Sequence, residues 1–221
     1  VGERCNARSE WPGPCPLNQF FITISSTMAK KGTAAVLPDA EQESSSGPLE
    51  IAIVGDLTEH EAELTDRLLS IEPGGQCTIY FDSPGGSPYC AVSMATLMRL
   101  RGIRATGIVT GECSSAALWP FATCTRRLVT PYSVFLFHPM KWQSEEHIGI
   151  AEAAEWSRHF AALEGEMDLL LGDLFGSSAD LIAKWIQTHR YVTGSEMVKA
   201  GLAEMIALKP LPELLGSPSD R

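Results

Sequence analysis

From Leu49 onward, short apolar runs alternate with stretches that carry helical caps and helical spacing, and this alternation limits the fold more than any other feature. Ile51-Ala-Ile-Val54 is an apolar run of strand length, suited to a buried strand. Thr58-Glu-His-Glu61 has the spacing of a capping box and predicts a helix through about Ile71. Cys77-Thr-Ile-Tyr-Phe81 reads as a second strand that runs into the tight Ser83-Pro-Gly-Gly86. A helix over 88–101, a strand from Ile103 to Val109, a helix from Ser114 to Thr123 that must hold Pro120, and a strand Val134-Phe-Leu-Phe137 follow in turn. The longest helical signal covers about 145–175, where Trp156, Phe160, Leu163, Met167, Leu170 and Leu174 fall on one stripe. Ser178 can cap a helix to about Thr188, and Thr193-Gly-Ser-Glu196 is a second capping box whose helix Gly201 ends. No internal repeat is present. Strands that alternate with helices in this way predict an α/β domain with a largely parallel sheet.

The flanks read differently. Residues 1–48 are rich in Pro, Ser, Gly and charge and are expected to be a disordered extension, with Ser44-Ser-Ser-Gly-Pro48 as linker. Met28-Ala-Lys-Lys-Gly has the look of a translation start, which would put residues 1–27 upstream of the native protein. Residues 49–209 would be the one folded domain, and 210–221 a loose Pro/Ser-rich tail.

Charge and cysteine usage narrow the function classes. A formal net charge of −10 over 221 residues argues against nucleic-acid binding and against attachment to anionic lipid. The six cysteines show neither a CxxC pair nor zinc-ligand spacing. Four of them have apolar or small neighbours and read as reduced thiols in a cytoplasmic protein. No apolar run reaches the roughly 18 residues that suggest a membrane span.

Three features sit where chemistry is easy to build. Ser83-Pro-Gly-Gly86 follows a strand, and paired glycines let a backbone N–H approach a ligand closely, although a plain tight turn needs the same residues. Gly111-Glu-Cys-Ser-Ser-Ala-Ala117 joins a strand to a helix. There Ser115 would lie among free N–H groups that favour a developing oxyanion, while a serine at such a place can equally be only an N-cap. His138 closes an apolar strand before Pro139, where an imidazole can face a cleft or be merely a satisfied histidine. The histidines at 60, 147 and 159 fall on helix faces and read as solvated.

Taken in order, these features resemble the proteolytic subunit of the Clp protease, the ClpP family, from Leu49 to about Lys209. The matching elements are Ser83-Pro-Gly-Gly86, Gly111-Glu-Cys-Ser-Ser-Ala116, Phe137-His-Pro139 and the closing Arg190-Tyr-Val-Thr-Gly-Ser-Glu-Met-Val-Lys-Ala-Gly-Leu202. The resemblance implies a ClpP/crotonase-like α/β fold of repeated β-β-α units, with a mostly parallel sheet and a long protruding handle helix. It implies a serine-type endopeptidase with Ser115 as nucleophile, His138 as base, and the N–H groups of Gly86 and Ala116 as oxyanion hole. It implies no metal or organic cofactor. Implied partners are other subunits in a homo-oligomeric ring or a paralogous ClpP subunit, an AAA+ unfoldase ATPase, and a peptide or unfolded-protein substrate.

Two departures bear on activity. The family places an aspartate just before the Arg-Phe-Leu-Ser segment, and the equivalent position here is His189. A carboxylate there holds the tautomer of the base and stabilises the imidazolium; losing it from a trypsin-type triad costs about 10⁴ in rate. Either His189 orients His138, or another carboxylate such as Asp82 or Glu112 reaches the site, or the chain is a weakly active or non-catalytic subunit that assembles with an active paralogue. The second departure is Met140-Lys-Trp-Gln-Ser-Glu-Glu-His147, which is charged and lacks glycine where the family has a glycine-rich strand. A crotonase-type acyl-CoA enzyme shares the architecture but has no need of a Ser115/His138 pair.

Overall fold

The computed structural model describes residues 47–142, 147–176 and 179–209. The expectations for the N-terminal extension, the C-terminal tail and the Ser178 cap lie outside those residues.

Strands β1 (Leu49–Asp56), β2 (Gln76–Gly85), β3 (Arg104–Cys113), β4 (Arg126–Val129) and β7 (Glu204–Met205) lie side by side in that order, all parallel. Strand β5 (Val134–Phe137) adds to the far end of β3 through Glu112 and Val134, and pairs antiparallel with β6 (Arg190–Thr193). Helices α1 (Glu61–Ser70) and α2 (Pro88–Leu100) make the first crossovers, as parallel strands require. The fold is thus mixed α/β with a mostly parallel sheet, as the alternation of runs implied.

Side chains along β1 alternate strictly, with Ile51 and Ile53 buried and Val54 57% exposed. Strands β2 and β3 alternate in the same way. The apolar run 51–54 therefore has one covered face, where a strand buried on both faces was expected. Helices cover that face, and the core runs through Phe81, Phe121, Phe135, Phe137 and Phe175, whose rings meet edge-on or tilted at centroid distances of 5.4–6.5 Å.

Several local expectations change in detail. Helix α1 begins at Glu61 with no side-chain cap, because Thr58 Oγ1 instead accepts a hydrogen bond from Ser87 N at 2.8 Å. The stretch 114–123 divides into a single 3₁₀ turn, Ser115–Ala117, and helix α3, Leu118–Thr123. Pro120 falls in the first turn of α3, where its missing N–H costs no helical hydrogen bond. Helix α4 starts at Ile150 and ends at Phe175, where Gly176 caps it in the left-handed conformation. Only its second half is packed: Met167, Leu171 and Phe175 are buried, whereas Trp156 and Phe160 on the stripe are half-exposed. Helix α5 spans Ala179–Gln187 and α6 spans Gly194–Lys199. The capping box between Thr193 and Glu196 is present with both its hydrogen bonds.

Candidate functional site

The site is assembled where β2, β3 and β5 end. At the end of β2 the Ser83 side chain is fully buried, and its hydroxyl donates to the Gly55 carbonyl at 2.6 Å while accepting from Gly85 N at 3.1 Å. Leu57 N donates to the Gly85 carbonyl at 2.8 Å. Gly85 and Gly86 have φ of 112° and 144°, open in practice only to glycine. Space makes the same demand. A Cβ on Gly85 would lie 2.8 Å from Ser115 Cβ and 2.9 Å from Ala116 N. One on Gly86 would collide with the Asp56 carboxylate and Thr58 Oγ1.

Strand β3 delivers the serine. Its pairing with β2 shifts register between Phe81 and Ser83, and Asp82 holds the extra residues by accepting from Glu112 N at 3.0 Å. Beyond the bulge, Ser114 N donates to the Ser83 carbonyl at 3.0 Å, and the chain turns at Ser115 with φ 55°. Ser115 and His189 (φ 49°) are the two non-glycine residues with positive φ among those described. A left-handed serine stores backbone strain of order 1–3 kcal/mol that only a firmly built surround maintains. Here Ser114 and Ala116 are buried on either side of Ser115, and Cys113 is fully buried below it.

Strand β5 brings His138, half-buried, with Nδ1 2.6 Å from the carbonyl oxygen of Pro139. A carbonyl can only accept, so this contact requires the proton on Nδ1 and leaves the Nε2 lone pair free to take another. Ser115, Ala116, Gly86 and His138 line one cleft of about 160 Å³ together with Pro88, Trp119, Met140 and Lys141. No hydrogen bond joins Ser115 to His138 among the described residues. Such contacts are often long before substrate binds.

The other sequence candidates are placed elsewhere. His189 is exposed, one step past the last β5–β6 pair, Phe137 with Arg190, and makes no hydrogen bond to His138 among the described residues. Asp82 is spent on the β3 bulge, and neither it nor Glu112 lines the cleft. Three contributors escaped the sequence reading: Thr58, which braces the Gly86 turn; Lys141; and Trp119, whose indole N–H donates to the Met167 carbonyl at 3.2 Å and ties the cleft wall to α4. The four described cysteines are free and buried; burial pushes the Cys77 and Cys90 thiols up to about 11, and it pushes the Cys113 thiol well above its ordinary value. Among the described residues no three His, Cys, Asp or Glu side chains gather as a metal site, and no helix is long and apolar enough to cross a membrane.

Parallel strands that end in a glycine turn and a serine turn, beside a histidine strand and a long partly packed helix, define a ClpP-type α/β architecture. The family model for Clp protease matches residues 49–210, and the chain belongs to that family. It is 27% identical over 145 residues to an ATP-dependent Clp protease proteolytic subunit of Bacteroides fragilis, covering 63% of this chain and 68% of that protein. A protein of the same description from Porphyromonas gingivalis is 25% identical over 142 residues, and 63% of each chain is covered. Among solved structures, a point mutant of ClpP1 from Listeria monocytogenes superposes with a TM-score of 0.62 at 16% identity, over 72% of this chain and 91% of that one. At that identity the structural likeness establishes the fold.

Proposed function

We propose that the chain is a serine-type peptidase subunit that hydrolyses peptide bonds through an acyl-enzyme on Ser115. The observation that carries this reading is the gathering of Ser115, His138, Gly86 and Ala116 around one cleft. His138 Nε2 takes the hydroxyl proton as Ser115 Oγ adds to the scissile carbonyl carbon. The N–H groups of Gly86 and Ala116 receive the oxyanion, and the imidazolium returns its proton to the departing amine. Water then enters by the same route, with His138 again as base, and frees the acyl half. No cofactor takes part. The relatives are described as ATP-dependent Clp protease proteolytic subunits. In this proposal the subunit assembles in a homo-oligomeric ring or with a paralogous ClpP subunit and receives peptide or unfolded protein from an AAA+ unfoldase ATPase.

The Pro139 carbonyl fixes the tautomer of His138 but carries only a partial negative charge, so it stabilises the imidazolium less than a carboxylate does. His189 is the proposed third member, since it directly precedes Arg190, the register partner of Phe137 beside His138. A second reading, a weakly active or non-catalytic subunit paired with an active paralogue, is favoured by the lack of a carboxylate among the described cleft-lining residues.

Labelling with a fluorophosphonate probe, alongside light scattering for oligomer mass, separates these readings. Wild type is expected to label and Ser115→Ala to lose labelling by about 10⁴-fold or more. Label that persists in Ser115→Ala overturns the assignment. His138→Ala is expected to slow labelling by about 10²- to 10⁴-fold. If His189→Ala labels as fast as wild type, His189 is not the third member. A wild type that labels only after a paralogue is added supports the second reading.

A further inference from the structure

The cleft holds one side chain that the peptidase reading leaves unused. Of the described residues that line it, Lys141 is the one lysine or arginine, and none is an aspartate or glutamate. The apolar side chains of Trp119, Met140 and Pro88 make up the wall beside it.

Lys141 is held at this rim by its neighbours. On one side Met140 N donates to Glu164 Oε1 at 2.8 Å, which fastens the backbone to α4. On the other, the Trp142 ring stacks flat on Phe160, with centroids 3.7 Å apart and planes 7° apart, and Tyr89 of α2 closes on it at 6.0 Å. Lys141 therefore lies between two attachments to α4, next to the residues that line the cleft with Ser115 and His138. Glu164 is engaged with the Met140 amide.

The charge is also local against the trend of the molecule. A chain with net charge −10 repels acidic peptides at long range, but salt at physiological strength screens that field beyond about 8 Å. A cation at the rim of the cleft acts inside that distance, on a substrate group held against the wall.

We infer that Lys141 makes this cleft select substrates that present a carboxylate next to the scissile bond, with the aliphatic part of that residue lying on Trp119 and Met140. The inference rests on the peptidase reading for its location, though recognition can be measured without turnover. A carboxylate in that place comes either from an Asp or Glu side chain or from a free C-terminus.

The test uses fluorogenic peptides that differ only by Glu or Gln beside the cleaved bond, and a second pair that differs by a free or amidated C-terminus. Values of kcat/KM are compared for wild type, Lys141→Ala and Lys141→Glu. Binding of the same peptides to Ser115→Ala is followed by fluorescence anisotropy, with and without Lys141→Ala. The wild type is expected to prefer the acidic member of one pair by about 3- to 10-fold, between the values for an exposed and a desolvated ion pair. Whichever pair shows the preference identifies the source of the carboxylate. Lys141→Ala is expected to abolish the ratio by slowing only the acidic peptide, Lys141→Glu to invert it, and added salt to shrink it. Equal rates for both members of both pairs, or a ratio unchanged in Lys141→Ala, overturn the inference while the peptidase reading stands. Acid-selective binding to Ser115→Ala that needs Lys141, in a wild type that cleaves nothing, upholds the inference and overturns the peptidase reading. No binding of any peptide overturns both.

Discussion

The serine wall of the cleft and the histidine wall are fixed by different means. Ser115 stands on two strand ends whose backbones are hydrogen-bonded to each other, between buried neighbours, over a glycine that must lack a side chain. His138 stands at the end of a four-residue strand, its Nδ1 turned to the next carbonyl, and the chain beyond it is fastened to α4 by one carboxylate and one ring stack. Buried backbone contacts cannot shift singly, whereas a half-buried carboxylate and a half-exposed ring outside the core can be changed with less effect on it. The position of Ser115 is thus built into the fold. The setting of His138 depends on a few side chains at the edge.

Three substitutions can break or sharpen that contrast, in decreasing order of effect. Gly85→Ala forces a Cβ against Ser115 and Ala116 at a φ of 112°, and both contacts are with groups that cannot swing away. Fluorophosphonate labelling is expected to fall about 100-fold, the scale of an ångström's misplacement of a reacting group, with a loss of about 1–3 kcal/mol in denaturant unfolding. A variant that labels normally would show that the serine turn is looser than its contacts imply. Glu164→Ala should act only on the histidine wall. It frees the Met140 amide, and kcat/KM is expected to drop about 3- to 10-fold with only a small fall in the unfolding midpoint, because the lost partner is one part-buried charge-assisted hydrogen bond outside the core. A loss as large as that of Gly85→Ala would erase the distinction between the two walls.

The smallest effect concerns α4 itself. Burial, with Glu164 adding repulsion, pushes the Asp168 carboxyl up from 3.8 to about 6. Between those values the folded chain binds more protons than the unfolded one, so this group lowers stability as pH rises from about 4 to 6 and has its full cost above 6. Asp168→Asn should flatten that slope in urea titrations at pH 4.5 and 7 by about 1 kcal/mol or less, given its partial exposure. An unchanged slope would mean that the carboxyl is better solvated than its surroundings suggest.

The sequence made the central strands, the glycine and serine turns and the second capping box legible, because each combines a period with a residue type that serves few other purposes. It left three strands unread. Strand β7 has two residues, too few to alternate; β4 opens on two arginines; and the residues of β6 were read as a motif and not as a strand. The first capping box failed for an instructive reason: the Thr58 hydroxyl is claimed by Ser87, twenty-nine positions away, and a local pattern cannot reveal a distant competitor. Ser115, His138, Gly86 and Ala116 could be named because their spacing follows a known pattern, while Lys141 and Trp119 come to the cleft through packing alone.

The four buried thiols give this contrast a clock. Cys113 lies two residues before Ser115 at the end of β3, and Cys90 lies in α2 behind the Gly86 turn, where its thiol donates to the Leu57 carbonyl; each can meet a reagent only when its own surroundings open. The rate at which each thiol is modified in the native protein therefore measures how often that part of the serine wall breathes, residue by residue and without any added label.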